Sequence, residues 1–507
     1  MDKNITRTSY VLFLLCTFFF IYRNMEGLGY LPFGDESGHF LGAIALHRGD
    51  RLYREYIDAH GPLVFTLSWV AGHFVGWSQV WLMRLVSTAC AAAAGAAVFF
   101  SPLLQLKWQR YLASALWLGA VGSVWVVQGL NLDDYWTIGG ALAVIALAML
   151  AVPLACAAPV SRMQAFMGGA ALGLLPFAAY PFGLFSAALA LAVLCVFLSA
   201  PRQYQAPVVG MMLGGVAAVA IMLLWLLVYG DIGGMVAFHF IANQQWYAHY
   251  IPMDVNQFWQ SLRFSLAPDR IVQTIAVCML AVGGALLLLY GRHRVAALFI
   301  LLGILSLQAR GSVGFQNGSF LMAALGLGAL LLVRVLASKP KVMVVVAVAC
   351  VALTVVGARH AVSSPFGQTA AQRHAVGWHR FRENPTVGFA TLIRKYAAPD
   401  ERILVLPYNP DVYIYANRLS MKKYHAYLPW EADYAAHPWH GYTRDICVDL
   451  SKDEPPVIYY DHWVVWGAYP AEKFMPCFLQ VLEKDYTQMP DDQFIYVRKD
   501  RLAAQQP

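Results

Sequence analysis

Gly34-Asp35-Glu36, an apolar run through Leu46, and then His47-Arg48-Gly49-Asp50-Arg51-Leu52-Tyr53-Arg54-Glu55-Tyr56-Ile57-Asp58-Ala59-His60-Gly61-Pro62-Leu63 form a polar island in an apolar chain. Hydrophobic residues make up 59% of 507 and charged residues 13%. That is more apolar surface than a water-exposed fold can hide, so the bilayer is the expected solvent for most of the chain. On the N-terminal side of the island, Tyr10 to Tyr22 is apolar, lacks a small-residue cleavage site and reads as a signal anchor. On its C-terminal side apolar runs follow one another, each close to the length of about 20 residues that a membrane helix needs. The expected spans are 8–23, 79–104, 111–128, 137–159, 163–180, 183–200, 206–229, 270–290, 295–309, 318–337 and 342–358, about eleven in all. The run from Pro62 to Trp77 is apolar but short and follows His60-Gly61, so it is expected to dip into the outer leaflet without crossing.

Charge orients this arrangement. The formal net charge is +7, yet residues 359–507 hold 17 basic and 17 acidic side chains, so the whole excess belongs to the membrane portion. Placing the N-terminus in the cytoplasm puts Lys3, Arg7, Lys107, Arg110, Arg162, Arg202, Arg292, Arg294, Arg334, Lys339 and Lys341 in short internal segments, as the positive-inside tendency requires. Every upstream carboxylate except Asp2 then lies outside, and no nucleic-acid partner is expected. The reading is a mainly α, polytopic helical membrane bundle over 1–358, with its first external loop at 24–78, and a small extracytoplasmic α/β domain over 359–507. In that domain Val387 to Tyr396 has a helical pattern, while Arg402 to Pro407, Val457 to Tyr460 and Phe494 to Val497 read as strands. Six of the eight cysteines sit in apolar segments. Cys447 and Cys477 alone fall in the tail, where an oxidising compartment would pair them; two unrelated buried thiols are the alternative.

The adjacent carboxylates Asp35 and Glu36 follow a membrane helix directly, where a hydrophilic acceptor from outside could meet a lipid-carried donor. A carboxylate there could serve as general base on an acceptor hydroxyl; the plainer reading is a solvated acidic loop. The loop as a whole resembles the GT-C superfamily of membrane glycosyltransferases that use polyprenyl-phosphate sugars, near the lipid A aminoarabinose transferases and protein O-mannosyltransferases. That family's loop runs Asp-Glu, a helix with small residues, Arg/Lys-Gly-x-x-Tyr-x-Asp, then Lys/His-Pro-Pro-Leu before a short helix. Here stand Asp35-Glu36, Ala43 and Ala45, Arg48-Gly49, Tyr53, Asp58 and His60-Gly61-Pro62-Leu63, followed by Arg84-Leu85-Val86-Ser87 where the family has Arg-Leu-Pro-Ser. The match is good over 30–90, topological to about residue 340 and negligible in the tail. Two departures stand out: His60 replaces the lysine that often precedes the proline pair, and Gly61 replaces the first proline.

The resemblance implies an inverting glycosyltransferase of the inner membrane. It would take a sugar from a polyprenyl-phosphate carrier and pass it to a glycolipid, polysaccharide or protein on the external face, with Asp35 as base and Glu36 assisting. Asp58 and His60 would belong to the substrate-binding set. A second acidic pair, Asp133-Asp134, lies in the second external loop, where the family places an acid near its cleft. It would line that cleft or hold a divalent cation such as magnesium, calcium or manganese; a charged cap between two helices is the competing reading. A departing phosphate needs preorganised positive charge. Arg263, Arg270 and Arg310 are the candidates, with His60 and Arg84 behind them, and Arg310, Arg270 and His60 are expected to hold the phosphate; arginines that merely meet lipid phosphates are the alternative. The amide- and aromatic-rich loop from Asp231 to Asp269 would cover the donor sugar or acceptor, or simply form an interfacial aromatic belt. The basic stretch Arg373, His374, His379, Arg380 and Arg382 reads as a headgroup collar. Two other function classes compete. A transporter or flippase of lipid-linked saccharides would place ionisable groups at the bilayer midplane, where these spans carry almost none. An inactive scaffold would tolerate change at Asp35 apart from stability.

Overall fold

The computed structural model describes residues 2–28, 34–77, 80–126, 128–251, 256, 258–260, 263, 271–308, 317–336 and 388–503. The chain divides into two compact units. One comprises Met1–Tyr30, Arg84–Met222 and Met253–Val376; the other comprises Leu31–Met83, Leu223–Pro252 and Gly377–Pro507. The boundary expected at 358/359 lies outside the described residues.

The first unit is helical. Its elements are Asp2–Leu28, Leu85–Phe99, Lys107–Val124, Tyr135–Ala146 running through a π turn at Leu147–Ala151 into Val152–Ala155, Arg162–Ala178, Phe182–Ser199, most of Pro201–Tyr229, Ile271–Tyr290, Arg294–Ser306 and Gly318–Leu336. Each expected span from 8–23 through 318–337 overlaps one of these helices, and the span at 342–358 lies outside the described residues. Six of the described helices are long and apolar enough to cross a membrane: Lys3–Leu28, Leu82–Phe99, Tyr135–Ala155, Phe182–Ser199, Pro201–Tyr229 and Gly318–Val335. Burial sorts them into centre and periphery. Tyr135–Ala155 is 89% buried and Gly318–Val335 83%, whereas Lys3–Leu28 is 22% buried. The outward faces carry Phe18, Leu191, Leu198, Leu213, Val216 and Ile221, an apolar exterior that suits lipid and not water. Small residues let backbones meet: Gly169 and Gly173 of the Arg162–Ala178 helix lie against Met211 and Gly215 of the Pro201–Tyr229 helix, and Gly210 and Gly214 against Arg162 and Phe166. A Cβ at Gly214 would run into the Phe166 carbonyl, and one at Gly169 into that of Met211.

The second unit gathers segments distant in sequence. Helix Gly34–His47 packs on helix Pro62–Val75, which Pro62 starts at a position where its missing N–H costs nothing. Gly42 allows this approach, because a Cβ there would lie 2.6 Å from the Phe65 ring. Pro62–Val75 has 14 residues, a length of about 21 Å at 1.5 Å per residue, short of the roughly 30 Å hydrocarbon core. The tail contributes a four-stranded sheet of β1 (Leu404–Leu406), β2 (Val457–Tyr460), β3 (Tyr486–Met489) and β4 (Asp492–Arg498), ordered β1-β2-β4-β3. β1 runs parallel to β2 with Leu404 opposite Ile458, and β4 is antiparallel to β2 and β3. Leu404, Leu406, Ile458, Tyr460, Phe478 and Leu482 form its core with helix Pro476–Asp485. Cys447 and Cys477 form a disulfide with Cα atoms 5.7 Å apart, stapling helix Ile446–Leu450 to that helix. Helix Gly388–Tyr396 and three of the strands coincide with the sequence expectation; β3 was not expected.

Candidate active site

Asp35 and Glu36 occupy the first turn of helix Gly34–His47, where unpaired backbone N–H groups favour negative charge. Glu36 is fully buried and Asp35 half-buried. The tail reaches this turn from the end of β1. The Tyr408 hydroxyl donates to Asp35 Oδ1 at 2.7 Å, and Ser37 Oγ donates to Asp411 Oδ1. Burial first, and the Asp35 charge second, hold the Tyr408 phenol well above the ordinary tyrosine range, so it stays a hydrogen-bond donor.

The other end of the loop is organised by Asp58. Its Oδ1 accepts from the His60 backbone N–H at 2.8 Å and from His60 Nδ1 at 2.7 Å, while Oδ2 lies 3.1 Å from His425 Nε2. Burial pushes the Asp58 carboxyl up, but the His60 charge and the hydrogen bonds from both imidazoles outweigh it and hold it well below the usual carboxylate range. Tyr56 stacks on His425 with ring centroids 4.8 Å apart. The backbone between Asp58 and His60 is fixed from a third direction. The Ala59 carbonyl accepts from His239 Nδ1 at 3.1 Å and Asn243 Nδ2 at 2.7 Å, both on the π-helical segment Val236–Tyr247. This gives two polar members of the Asp231–Asp269 loop a structural task. Asp50 is gripped by both terminal nitrogens of Arg402, at 2.7 and 3.0 Å, the bidentate geometry in which such pairs are strongest. Beside Asp58 a small cavity of about 20 Å³, room for about one water molecule, is lined by Phe238, Trp430, Glu431, Tyr434 and Arg444. Arg444 pairs with Glu431, whose carboxyl burial raises against the pull of that arginine and of His425.

The remaining acidic candidates belong to the first unit. Asp133 and Asp134 are fully buried. Asp134 caps helix Tyr135–Ala146, its Oδ1 accepting from the Tyr135 N–H at 2.6 Å, the role that favours Asp at a helix start. Arg84, also buried, donates to the carbonyls of Gly27 and Leu28 at 3.0 and 3.2 Å. It therefore closes the C-terminal end of helix Asp2–Leu28, where a cation is favoured. Asn131 adds a bond to Gly27 O at 3.2 Å. The structure thus brings Asp35, Glu36, Asp58 and His60 into one unit and builds Asp133 and Asp134 into the other. Arg270 and Arg310 lie outside the described residues, and Arg263 is exposed. Among the described residues no group of three His, Cys, Asp or Glu side chains is placed to hold a metal ion, and Asp134 is committed to its helix.

Sequence reasoning missed Tyr408, His425, Arg402 and Asp411. Each meets the first loop from more than 350 positions away, and no local pattern marks them. No family model and no curated protein matches the sequence. Two solved structures of ArnT from Cupriavidus metallidurans are similar to this chain. One is bound to undecaprenyl phosphate (TM-score 0.53) and the other is in the apo state (TM-score 0.54); each is 13% identical and covers 96% of this chain and 97% of its own. At that identity the likeness establishes a shared fold and nothing beyond it.

Proposed function

We propose that this chain is an inverting glycosyltransferase that moves a sugar from a polyprenyl-phosphate carrier to a glycan, glycolipid or protein acceptor. In this reading Asp35 takes the proton from the acceptor hydroxyl as its oxygen attacks the anomeric carbon. The bond between that carbon and the phosphate oxygen breaks, and polyprenyl phosphate leaves with the electron pair. Glu36 supports Asp35 from the same helical turn. Arg270, Arg310 and His60 neutralise the growing phosphate charge, a stabilisation worth more in the transition state than in the ground state. Asp58 engages His60 Nδ1, so a phosphate would meet the ring through Nε2, and only the imidazolium donates there. Asp133 and Asp134 line the cleft.

The observation that carries this reading is the first turn of Gly34–His47. A carboxylate is held there on a helix N-terminus by a tyrosine hydroxyl, within a loop that carries the family's residue types in the same order from Asp35 to Leu63. The shared fold adds support, because one of the ArnT structures holds undecaprenyl phosphate. The positive-inside distribution and the Cys447–Cys477 disulfide favour a C-terminal domain outside the cytoplasm. The test is mass analysis of surface glycans, lipid A and external proteins from cells that lack the chain and are complemented with wild type or Asp35→Asn. Wild type restores a sugar-bearing product and Asp35→Asn, inserted at equal level, does not; restoration by the variant removes Asp35 as base.

A further inference from the structure

We infer that Tyr408 is the positioning residue of Asp35, and that the segment Tyr408–Asp411 gives the C-terminal domain a direct part in the transfer step. The inference rests on the glycosyltransferase reading for the role of Asp35 and on three separate contacts for the role of the tail. The Tyr408 hydroxyl donates to Asp35 Oδ1 at 2.7 Å. Two residues along the same helical turn, Ser37 Oγ donates to Asp411 Oδ1. Between these bonds the backbone itself is matched to the tyrosine ring: a Cβ at residue 34 would lie 2.6 Å from Tyr408 Cε1. Real Cβ contacts are essentially never that short, so a glycine stands where the ring passes. The Gly34-Asp35-Glu36 signature is therefore half a contact, and its other half is in the tail.

The chemistry follows from what a hydroxyl does to a carboxylate. A single hydrogen bond to one oxygen fixes the rotation of the carboxyl group and leaves the second oxygen as the one directed to an acceptor proton. Geometry of this kind matters because a base must lie within about 3.2 Å of the atom whose proton it abstracts. Misplacement on the order of 1 Å costs about a hundredfold. Tyr408 is itself held. It follows β1 directly and makes an isolated bridge to Ala426, while the neighbouring Pro407 carbonyl accepts from Tyr427 N–H at 2.9 Å. The donor is thus held by backbone pairing just past the end of β1, as a preorganised site requires.

The experiment uses the full chain, purified in detergent, as wild type, Tyr408→Phe, Gly34→Ala, the double variant and Asp35→Asn. Asp35 is probed by carbodiimide and glycine ethyl ester labelling read by peptide mass spectrometry, the donor site by binding of undecaprenyl phosphate, and transfer by the glycan product in complemented cells. Tyr408→Phe removes one oxygen and keeps the ring. The expected result is about tenfold faster labelling at Asp35, unchanged labelling at Asp50, unchanged undecaprenyl phosphate binding, and transfer reduced about tenfold, the size of one charge-assisted hydrogen bond. Gly34→Ala, which displaces the ring from the other side, is expected to give the same pattern. The double variant is expected to be no worse than either single change, since all three break one contact. Wild-type labelling at Asp35 in Tyr408→Phe, or additive losses in the double variant, would overturn the inference. Active Asp35→Asn would instead overturn the glycosyltransferase role of Asp35, while the labelling arm would still report on the Tyr408 contact.

Discussion

Asp58 shows how much one buried carboxylate can organise. It is 5% exposed and accepts from two imidazoles and one backbone N–H. Replacing it with Asn leaves His60 and His425 short of a charged partner, and loss of one member of such a buried set costs about 3 kcal/mol or more. The pH dependence follows from the depressed Asp58 value, caused by His60 and His425 acting against burial. A carboxyl held below its unfolded value near 3.9 stabilises the fold fully above that pH and loses its contribution as pH falls through the lower folded value. Thermal unfolding of wild type and Asp58→Asn should therefore differ by a constant amount near pH 5 to 6 and converge as the pH drops below about 4. A gap that widened towards acid would contradict the assignment. The residues of this site divide by legibility. Asp35, Glu36, Asp58 and His60 are readable because their residue types and order along one loop carry the pattern. Tyr408 and His425 are not, because a contact across more than 350 residues leaves no periodicity in either partner. Asp134 was readable in two ways, as a cleft acid or as a helix cap, and the bond to the Tyr135 N–H fills the second role.

Among the elements, the helices were the most legible part of the fold, since an apolar run of about 20 residues has few other uses. The strand Val457–Tyr460 announced itself through its β-branched and aromatic residues; the strand Tyr486–Met489 did not, because Thr487 and Gln488 are exposed and leave only two buried side chains. Helix contacts were hidden altogether. Gly210 and Gly214 look like unremarkable small residues in the run from Pro201 to Tyr229, yet they mark the face on which the Arg162–Ala178 helix rests. Gly214→Leu should force the two backbones apart at a cost of about 1–3 kcal/mol. Unfolding of the purified chain by SDS would register it as a lower midpoint. The control Leu213→Ala, on an exposed face, should leave the midpoint nearly unchanged, and equal effects of the two substitutions would argue against a close crossing.

For the whole molecule, the organising fact is that the compact unit holding the C-terminal tail also holds residues 31–83 and 223–252. The Asp50–Arg402 pair and the Asp58–His425 contact belong to that unit and join the first loop to the tail. Reporters inserted near residue 40 and after residue 400 should both register outside the cytoplasm, and opposite results at the two sites would break the topology. The Cys447–Cys477 disulfide closes 30 residues of chain and should contribute about 3.6 kcal/mol to the tail by the chain-entropy account, so Cys447→Ser should speed proteolysis of the tail in membranes. The central claim, sugar transfer with Asp35 as base, meets its most direct test in purified protein incubated with the polyprenyl-phosphate sugar pool and the other envelope lipids extracted from its own membranes. Wild type should release free polyprenyl phosphate while Asp35→Asn binds undecaprenyl phosphate equally well and releases none. Release by Asp35→Asn at the wild-type rate would contradict the account.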